Sequence, residues 1–324
     1  MESVAVIIPC FNAERFLAAT VESVLGQGAL VDEIVVVDDC STDGSLEIAR
    51  CYGDRVRCIS LPSNGGISAA RNAGIDSVRS GNVLCLDADD QLMPDSLETL
   101  RQALDRVPEA GVAFGRFNEF DDSCPQLPPR DYVNQQIDNT PHAVLADQSF
   151  LFDDRLFSPL LRGSFIPMGG ALIRRDVFET IGRFDESFRV GEDRDFWLRA
   201  VRSFRFLCVD RVVMRRRLHA DNLTGLKFQH LYHDFNIRHA RKMLAAFPDM
   251  SEDDRDFITR RAAECCRIFA RHYLSEGCPQ EARKYATDWA QWMGWNLEAR
   301  FLYLLSFLSG PLLANVHKGV RMLR

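Results

Sequence analysis

Residues 82–90 read NVLCLDADD, so that an apolar run, Val83 to Leu86, passes directly into Asp87, Asp89 and Asp90. A short apolar run bounded by Gly81 and by carboxylates has the pattern of a strand buried on both faces, as in a parallel sheet. Asp87 and Asp89 then emerge at its carboxyl end, the edge at which open α/β sheets bind ligands. Carboxylates this close raise one another's pKa unless a cation neutralises them, and oxygen ligands suit a hard divalent ion such as Mg²⁺ or Mn²⁺. The stretch reads as a site for a metal and a diphosphate. The competing reading is a solvated acidic turn before a helix that starts near Pro94.

Upstream lie three further strand–turn–helix units. Val4 to Ile8 is a β-branched run closed by Pro9, followed by a helix with Phe16, Leu17, Val21, Val24 and Leu25 on one face and Gly26 as its stop. Asn12 is placed to cap that helix. Ile34 to Val37 ends in Asp38 and Asp39; one of these can cap a helix from Ser45 to Arg50, leaving the other to accept hydrogen bonds from a ligand such as the N–H edge of a base. Val56 to Ser60 is a third strand, followed by Asn64-Gly65-Gly66 and a small-residue helix, Ile67 to Val78. The glycine pair offers free N–H groups to an anion, and Arg71, one turn into the helix, is either within reach of a phosphate or base, or a surface cation with nothing to hold. Downstream, an amphipathic helix from Asp95 to Arg106 and a strand from Val112 to Phe117 complete four β-α units in about 115 residues, which implies a doubly wound sheet.

The chain has 324 residues and a net charge of −7, with a pI near 5.6, which argues against a nucleic-acid partner. MESVAVIIPCF lacks a basic n-region and is broken at Pro9, so it reads as a first strand and not a signal peptide, and a cytoplasmic protein is expected. The ten cysteines include no Cys-x-x-Cys pair, and Cys10, Cys58, Cys85 and Cys208 sit in apolar runs, as reduced core thiols do.

IIPCFNAERFL, EIVVVDDCSTDGS, NGGISAARNAG and LCLDADD, in this order and at these intervals, resemble the family-2 inverting glycosyltransferases of the GT-A fold, over roughly residues 1 to 225. The resemblance implies an α/β Rossmann-like mixed sheet flanked by helices and a nucleotide diphosphate sugar donor, usually a UDP-sugar. Pro9, Phe11 and Asn12 would line the nucleotide pocket and Asp39 would meet the base. Arg71 would lie beside base and ribose, with Gly66 counted among the nucleotide-binding residues. Asp87 would approach the ribose and the metal shell, and Asp89 would ligate the cation, Mn²⁺ or Mg²⁺, that bridges the diphosphate. Cys10 and Phe11 stand where the family often has Thr and Tyr, which leaves base preference open.

Residues 120 to 168 carry six prolines and read as a long irregular insertion, the expected place of acceptor specificity. Gly169 to Ile173 reads as a strand and Asp176 to Gly182 as a short helix with its stop. GALIRRDVFETIGRFDESF and GEDRDFWLRAV resemble the acceptor half of the family, in which Asp193 would be the general base and Glu192 would orient the acceptor or the helix. The plainer reading is that acids favour the first turn of a helix. His219, in an Arg-x-x-x-His-x-x-Asn-x-Thr run, would by the same resemblance be a metal ligand. Residues 1–118 thus form a donor half, 119–225 an acceptor half and 226–324 a helical region. In that region His230 and His233 share a helix face, as packed or solvated histidines or as metal ligands. The segment from Phe301 to Val316, with Lys318, Arg321 and Arg324 behind it, is too short and broken to span a bilayer; it reads as a buried or dimer-forming helix, or as one lying on the cytoplasmic face of a membrane.

These features imply metal-dependent, inverting sugar transfer to a glycan or lipid-linked acceptor in polysaccharide or cell-surface glycan synthesis. A nucleotidyltransferase would need a Gly-rich basic loop after the first strand, which PCFNAERFL lacks. Against the alternative of a non-catalytic sugar-nucleotide binding protein stand Asp89, Asp193 and His219.

Overall fold

The computed structural model describes residues 3–121, 132–220, 222 and 228–307. The chain divides into two compact units, 1–223 and 224–324. In the first unit the elements run β1 (Val4–Cys10), α1 (Leu17–Leu25), β2 (Val31–Asp38), α2 (Ser45–Arg50), β3 (Arg57–Ser60), α3 (Ile67–Ser77), β4 (Asn82–Cys85), β5 (Gln91–Leu92), α4 (Ser96–Arg106) and β6 (Ala110–Phe120). They continue as α5 (Tyr132–Asn139), β7 (Ala143–Val144), β8 (Phe150–Phe152), α6 (Phe157–Arg162), β9 (Ala171–Arg174), α7 (Arg175–Ile181), α8 (Glu192–Ala200) and β10 (Arg205–Arg217). The strands form one sheet in the order β3-β2-β1-β4-β9-β6-β10-β8-β7, with β5 against β10. β1 pairs in parallel with β2 and β4, and β2 with β3, whereas β9 is antiparallel between β4 and β6. This is the expected mixed α/β sheet. Every residue of β1 is buried, which explains its unbroken apolar run.

Pro9 does not close β1. It pairs with Val37 of β2, while the pairing to β4 stops at Ile7 opposite Cys85. A residue without an N–H cannot extend that second ladder, so β1 and β4 part company at Pro9. The gap opens at the carboxyl edge of the sheet, where the acidic run begins. α3 packs tightly beneath this edge: a Cβ on Gly74 would lie 2.3 Å from Ile7, so only glycine fits there.

The insertion is more regular than its prolines suggest. Its described part holds α5, α6 and the strands β7 and β8, and β8 joins the sheet through Phe150–Phe152 against Cys208–Phe206. The short β8 is apolar enough to be buried, and a hairpin with β7 extends the sheet by two strands.

The second unit holds α9 (Gln229–Ala246), α10 (Glu252–Ser275), α11 (Pro279–Met293) and α12 (Leu297–Leu305). Ser251 and Asn296 cap α10 and α12 by accepting from the N–H of Asp254 and Ala299. Ile237, Phe269, Leu274, Trp289 and Leu302 belong to its own core. His233 is packed there, edge-on to Phe269 with Nδ1 3.4 Å from the Cys265 sulfur. Much of the segment from Phe301 to Val316, with Lys318, Arg321 and Arg324, lies outside the described residues. No described helix is long and apolar enough to cross a membrane.

Candidate active site

Because β1, β2 and β4 are parallel neighbours, the residues after Cys10, Asp38 and Cys85 meet on one edge. The first two turns interlock there. Asn12 takes a left-handed backbone, φ 51°, donates its N–H to the Ser41 hydroxyl at 3.0 Å and accepts from the N–H of Thr42 at 2.8 Å. It does not cap α1, whose N-cap, Phe16, offers no side-chain bond. The chain between Asn12 and α1 instead turns through Ala13, leaving Asn12 free to hold the neighbouring loop. Phe11, beside it, is 50% exposed at the mouth of the gap.

Neither Asp38 nor Asp39 caps α2. Asp38 accepts from the N–H of Ser41, and the start of α2 is served by Asp43 and Glu14. Asp39 turns the other way and takes the N–H of Gly65 and of Gly66, each at 2.7 Å, one on each carboxylate oxygen. The glycine amides are therefore not free for a ligand anion: the anion at the start of α3 is Asp39 itself. Gly66 sits at φ +87°, and a Cβ there would come 2.6 Å from an Arg189 nitrogen. Asp39 keeps unused lone pairs, so a base N–H would be a further bond to an already engaged carboxylate.

The acidic run forms a tight turn at the end of β4. The Thr20 hydroxyl ties it to α1, with 2.8 Å to the carbonyls of both Ala88 and Asp90. Nε2 of His219 lies 2.9 Å from Oδ2 of Asp89, and Asn222 reaches the same oxygen at 3.4 Å. The Phe16 ring lies tilted against the His219 ring, with centroids 4.6 Å apart. Arg217 lies between the rings of Phe16 and Phe120, at 5.1 and 4.5 Å, and donates to the Asp89 carbonyl. Burial, and then the neighbouring charge of Asp87, raise the Asp89 carboxyl above its usual range; Asp90, fully inside, is raised further. A site that penalises negative charge in this way suits a cation. Asp89 and His219 are an oxygen and a nitrogen already side by side; the carboxylate suits a hard divalent ion, and the imidazole favours a transition metal over Mg²⁺. Among the described residues no group of three or more His, Cys, Asp or Glu is placed to hold a metal.

Arg71 is no surface cation. It is 1% exposed and spans two carboxylates, with Nη2 at 2.6 Å from Asp87 and Nη1 at 2.6 Å from Glu192. Burial works against its charge, yet the two carboxylates hold the guanidinium above its ordinary range. Glu192 opens α8 and is itself buried, which pushes its carboxyl up to about 7 against the pull of Arg71. Asp193, one residue on, is partly exposed; it accepts from the Ser164 hydroxyl at 2.9 Å and from the N–H of Arg194. Deep in the same helix, Trp197 donates to the Ile166 carbonyl and anchors the first turn. Through Arg71 the start of α8, with Glu192, is held against the end of β4, with Asp87.

Thr20, Phe16, Arg217, Asn222 and Ser164 support this site and were not singled out from sequence. Phe16 was legible only as an apolar helix residue. Asn222 stands in the run that carries His219, three residues on, and that spacing was the available signal.

A family model, Glycosyl transferase family 2, matches residues 5–182. The chain belongs to glycosyl transferase family 2. It is 29% identical over 231 residues to the uncharacterized glycosyltransferase RP339 of Rickettsia prowazekii, covering 70% of this chain and 68% of that one. To the succinoglycan biosynthesis protein ExoO of Rhizobium meliloti it is 32% identical over 191 residues, 59% of this chain and 53% of ExoO. The chain thus spans about two thirds of the first relative and about half of the second. Among solved structures, S. aureus TarS 1-349 in complex with UDP-GlcNAc matches with a TM-score of 0.61 at 19% identity, covering 94% of this chain and 89% of that one. That likeness supports the GT-A-like fold of this glycosyltransferase.

Proposed function

We propose that this glycosyltransferase moves a sugar, with inversion, from a uridine diphosphate sugar to a hydroxyl of a glycan or lipid-linked acceptor in polysaccharide synthesis. The observation that carries this reading is the Asp87–Arg71–Glu192 bridge, which brings a diphosphate-type edge and an acid on a second helix into one site. ExoO, named for succinoglycan biosynthesis, and the UDP-GlcNAc complex of TarS support the donor and acceptor classes.

Phe11, Asn12 and Pro9 border the gap where the nucleotide would lie, with Asp39 fixing the loop that closes its base end. Asp89 and His219 would hold the divalent cation, which supplies positive charge to the departing diphosphate. Asp193, held by Ser164 and partly open to solvent, would take the proton of the acceptor hydroxyl as that oxygen attacks the anomeric carbon and the carbon–oxygen bond to the diphosphate breaks. Glu192, neutralised by Arg71, sets the direction of α8 and keeps a second negative charge away from the attacking oxygen.

The test is release of nucleotide diphosphate from a panel of UDP-, GDP- and dTDP-sugars, with and without Mn²⁺, and the anomeric configuration of the product by NMR. UDP release that needs a divalent cation, with an inverted product, is expected. Release from none of the donors, or a retained configuration, overturns the reading.

A further inference from the structure

In the second unit the apolar side chains left outside its core gather in one place. Eight large apolar residues stand exposed among the described residues, and six of them fall between Met293 and Phe307. Single exposed apolar residues are ordinary, whereas a contiguous group marks a binding surface. Leu297, Phe301 and Leu304 recur at spacings of four and three residues and so form one stripe along α12; they are 88%, 50% and 64% exposed. Ala299, Leu302 and Ser306, on the opposite side, are buried. Trp295 precedes the helix at 44% exposure, its ring edge-on to Tyr303.

α12 and the sequence after it carry more positive than negative charge. Arg300 stands exposed beside Leu304 on the helix surface, while Glu298 is engaged at the side by Arg271 at 2.6 Å and Arg267 at 3.6 Å. Glu298 is also the last carboxylate in the sequence: residues 299–324 contain Arg300, Lys318, Arg321 and Arg324 and no Asp or Glu. The excess is confined to this stretch, since residues 224–298 hold 11 Lys and Arg against 11 Asp and Glu. A helix with a Trp, Phe and Leu face, an exposed Arg and a basic sequence after it has the composition of one that lies in the headgroup layer. A symmetric contact of two copies through the stripe would bring like charge to like at Arg300, which costs free energy where an anionic surface gains it.

We infer that the stripe of Leu297, Phe301 and Leu304, with Trp295 and Arg300, is a docking surface for an anionic lipid bilayer. The inference does not depend on the donor, the cation or the acid roles assigned above. The test is flotation of the full chain with vesicles of phosphatidylcholine alone and of equal parts phosphatidylcholine and phosphatidylglycerol, at low and high salt. The protein should float with the anionic vesicles, weakly or not at all with the neutral ones, and less at high salt. Phe301→Ser with Leu304→Ser should lower partitioning by at least roughly tenfold, and Arg300→Glu by about tenfold. All three positions are exposed, and circular dichroism checks that the variants stay folded. No flotation of the wild type, equal flotation with both vesicles, or unchanged flotation of both variants overturns the inference. So does light scattering that shows a dimer in wild type and a monomer in Phe301→Ser with Leu304→Ser, since a second copy would then cover the stripe.

Discussion

Two adjacent acids at the start of α8 have opposite surroundings. Asp193 is partly exposed and held by neutral donors, whereas Glu192 is buried against Arg71. A general base must be reachable by the acceptor hydroxyl, and the proposed base, Asp193, is the more open of the two. Asp193→Asn keeps size and the Ser164 contact but removes the proton acceptor, so transfer should fall by about 10²–10⁴-fold with donor affinity nearly unchanged. Steady-state rates and calorimetric donor titration check this; equal losses in rate and affinity would place the base elsewhere. Glu192 makes a different prediction. Its carboxyl is raised from 4.5 to about 7 in the folded chain, so folding takes up a proton between these values. The associated stability is complete below pH 4.5 and is lost as the pH rises through about 7. Glu192→Gln should therefore flatten the pH dependence of the urea midpoint across that window. A slope identical to wild type would show that Glu192 stays ionised beside Arg71 throughout.

At the scale of elements, the carboxyl edge is held by side chains that cross from one turn to the next. Asp39 is the main clamp, since both its oxygens secure the turn that begins α3. Asp39→Asn replaces one acceptor by an amide donor facing an N–H, and the loss should be about 1–3 kcal/mol, as for a polar group left unsatisfied. Urea denaturation without nucleotide measures it; an unchanged midpoint would mean that the glycine turn stands without Asp39. The strands of this edge were legible because each is an apolar run ending in turn residues, and α1, α3 and α4 because their apolar or small faces keep helical spacing. The partners of the polar residues were not. Asn12 and Asp39 both looked like caps or ligand contacts, since a sequence shows a cap residue and the turn after it but not the neighbouring turn that arrives beside it in the sheet. Arg71 was ambiguous for the same reason: of its two carboxylates Asp87 is 16 and Glu192 121 residues away in sequence, and only folding makes the three neighbours. The order hidden in residues 120–168 was missed because six prolines mask helices as short as α6.

At the scale of the whole molecule, the two units have cores that share no residue: Leu17, Val36, Leu84 and Leu172 belong to one, Phe269, Trp289 and Leu302 to the other. The residues proposed to bind donor and cation all lie in the first. A ligand that binds only the native state stabilises what it binds by mass action, by about 2.7 kcal/mol at a hundred times its Kd. For a unit of this size that corresponds to a rise in Tm of roughly 5–10 °C. Scanning calorimetry with UDP and Mn²⁺ should therefore show two transitions, of which only the one belonging to residues 1–223 moves, and neither should move with Mn²⁺ alone to that extent, since two protein ligands hold a cation weakly without the diphosphate. Asp89→Asn should abolish the shift while leaving the position of both transitions without ligand nearly in place, because a carboxyl raised by burial and then by Asp87 gives up unfavourable charge as well as the His219 contact. A single transition that moves as a whole would show that the cores unfold together. A UDP shift that survives in Asp89→Asn would remove the cation from that carboxylate, and Asp87, 36% exposed beside it, would be the next to substitute.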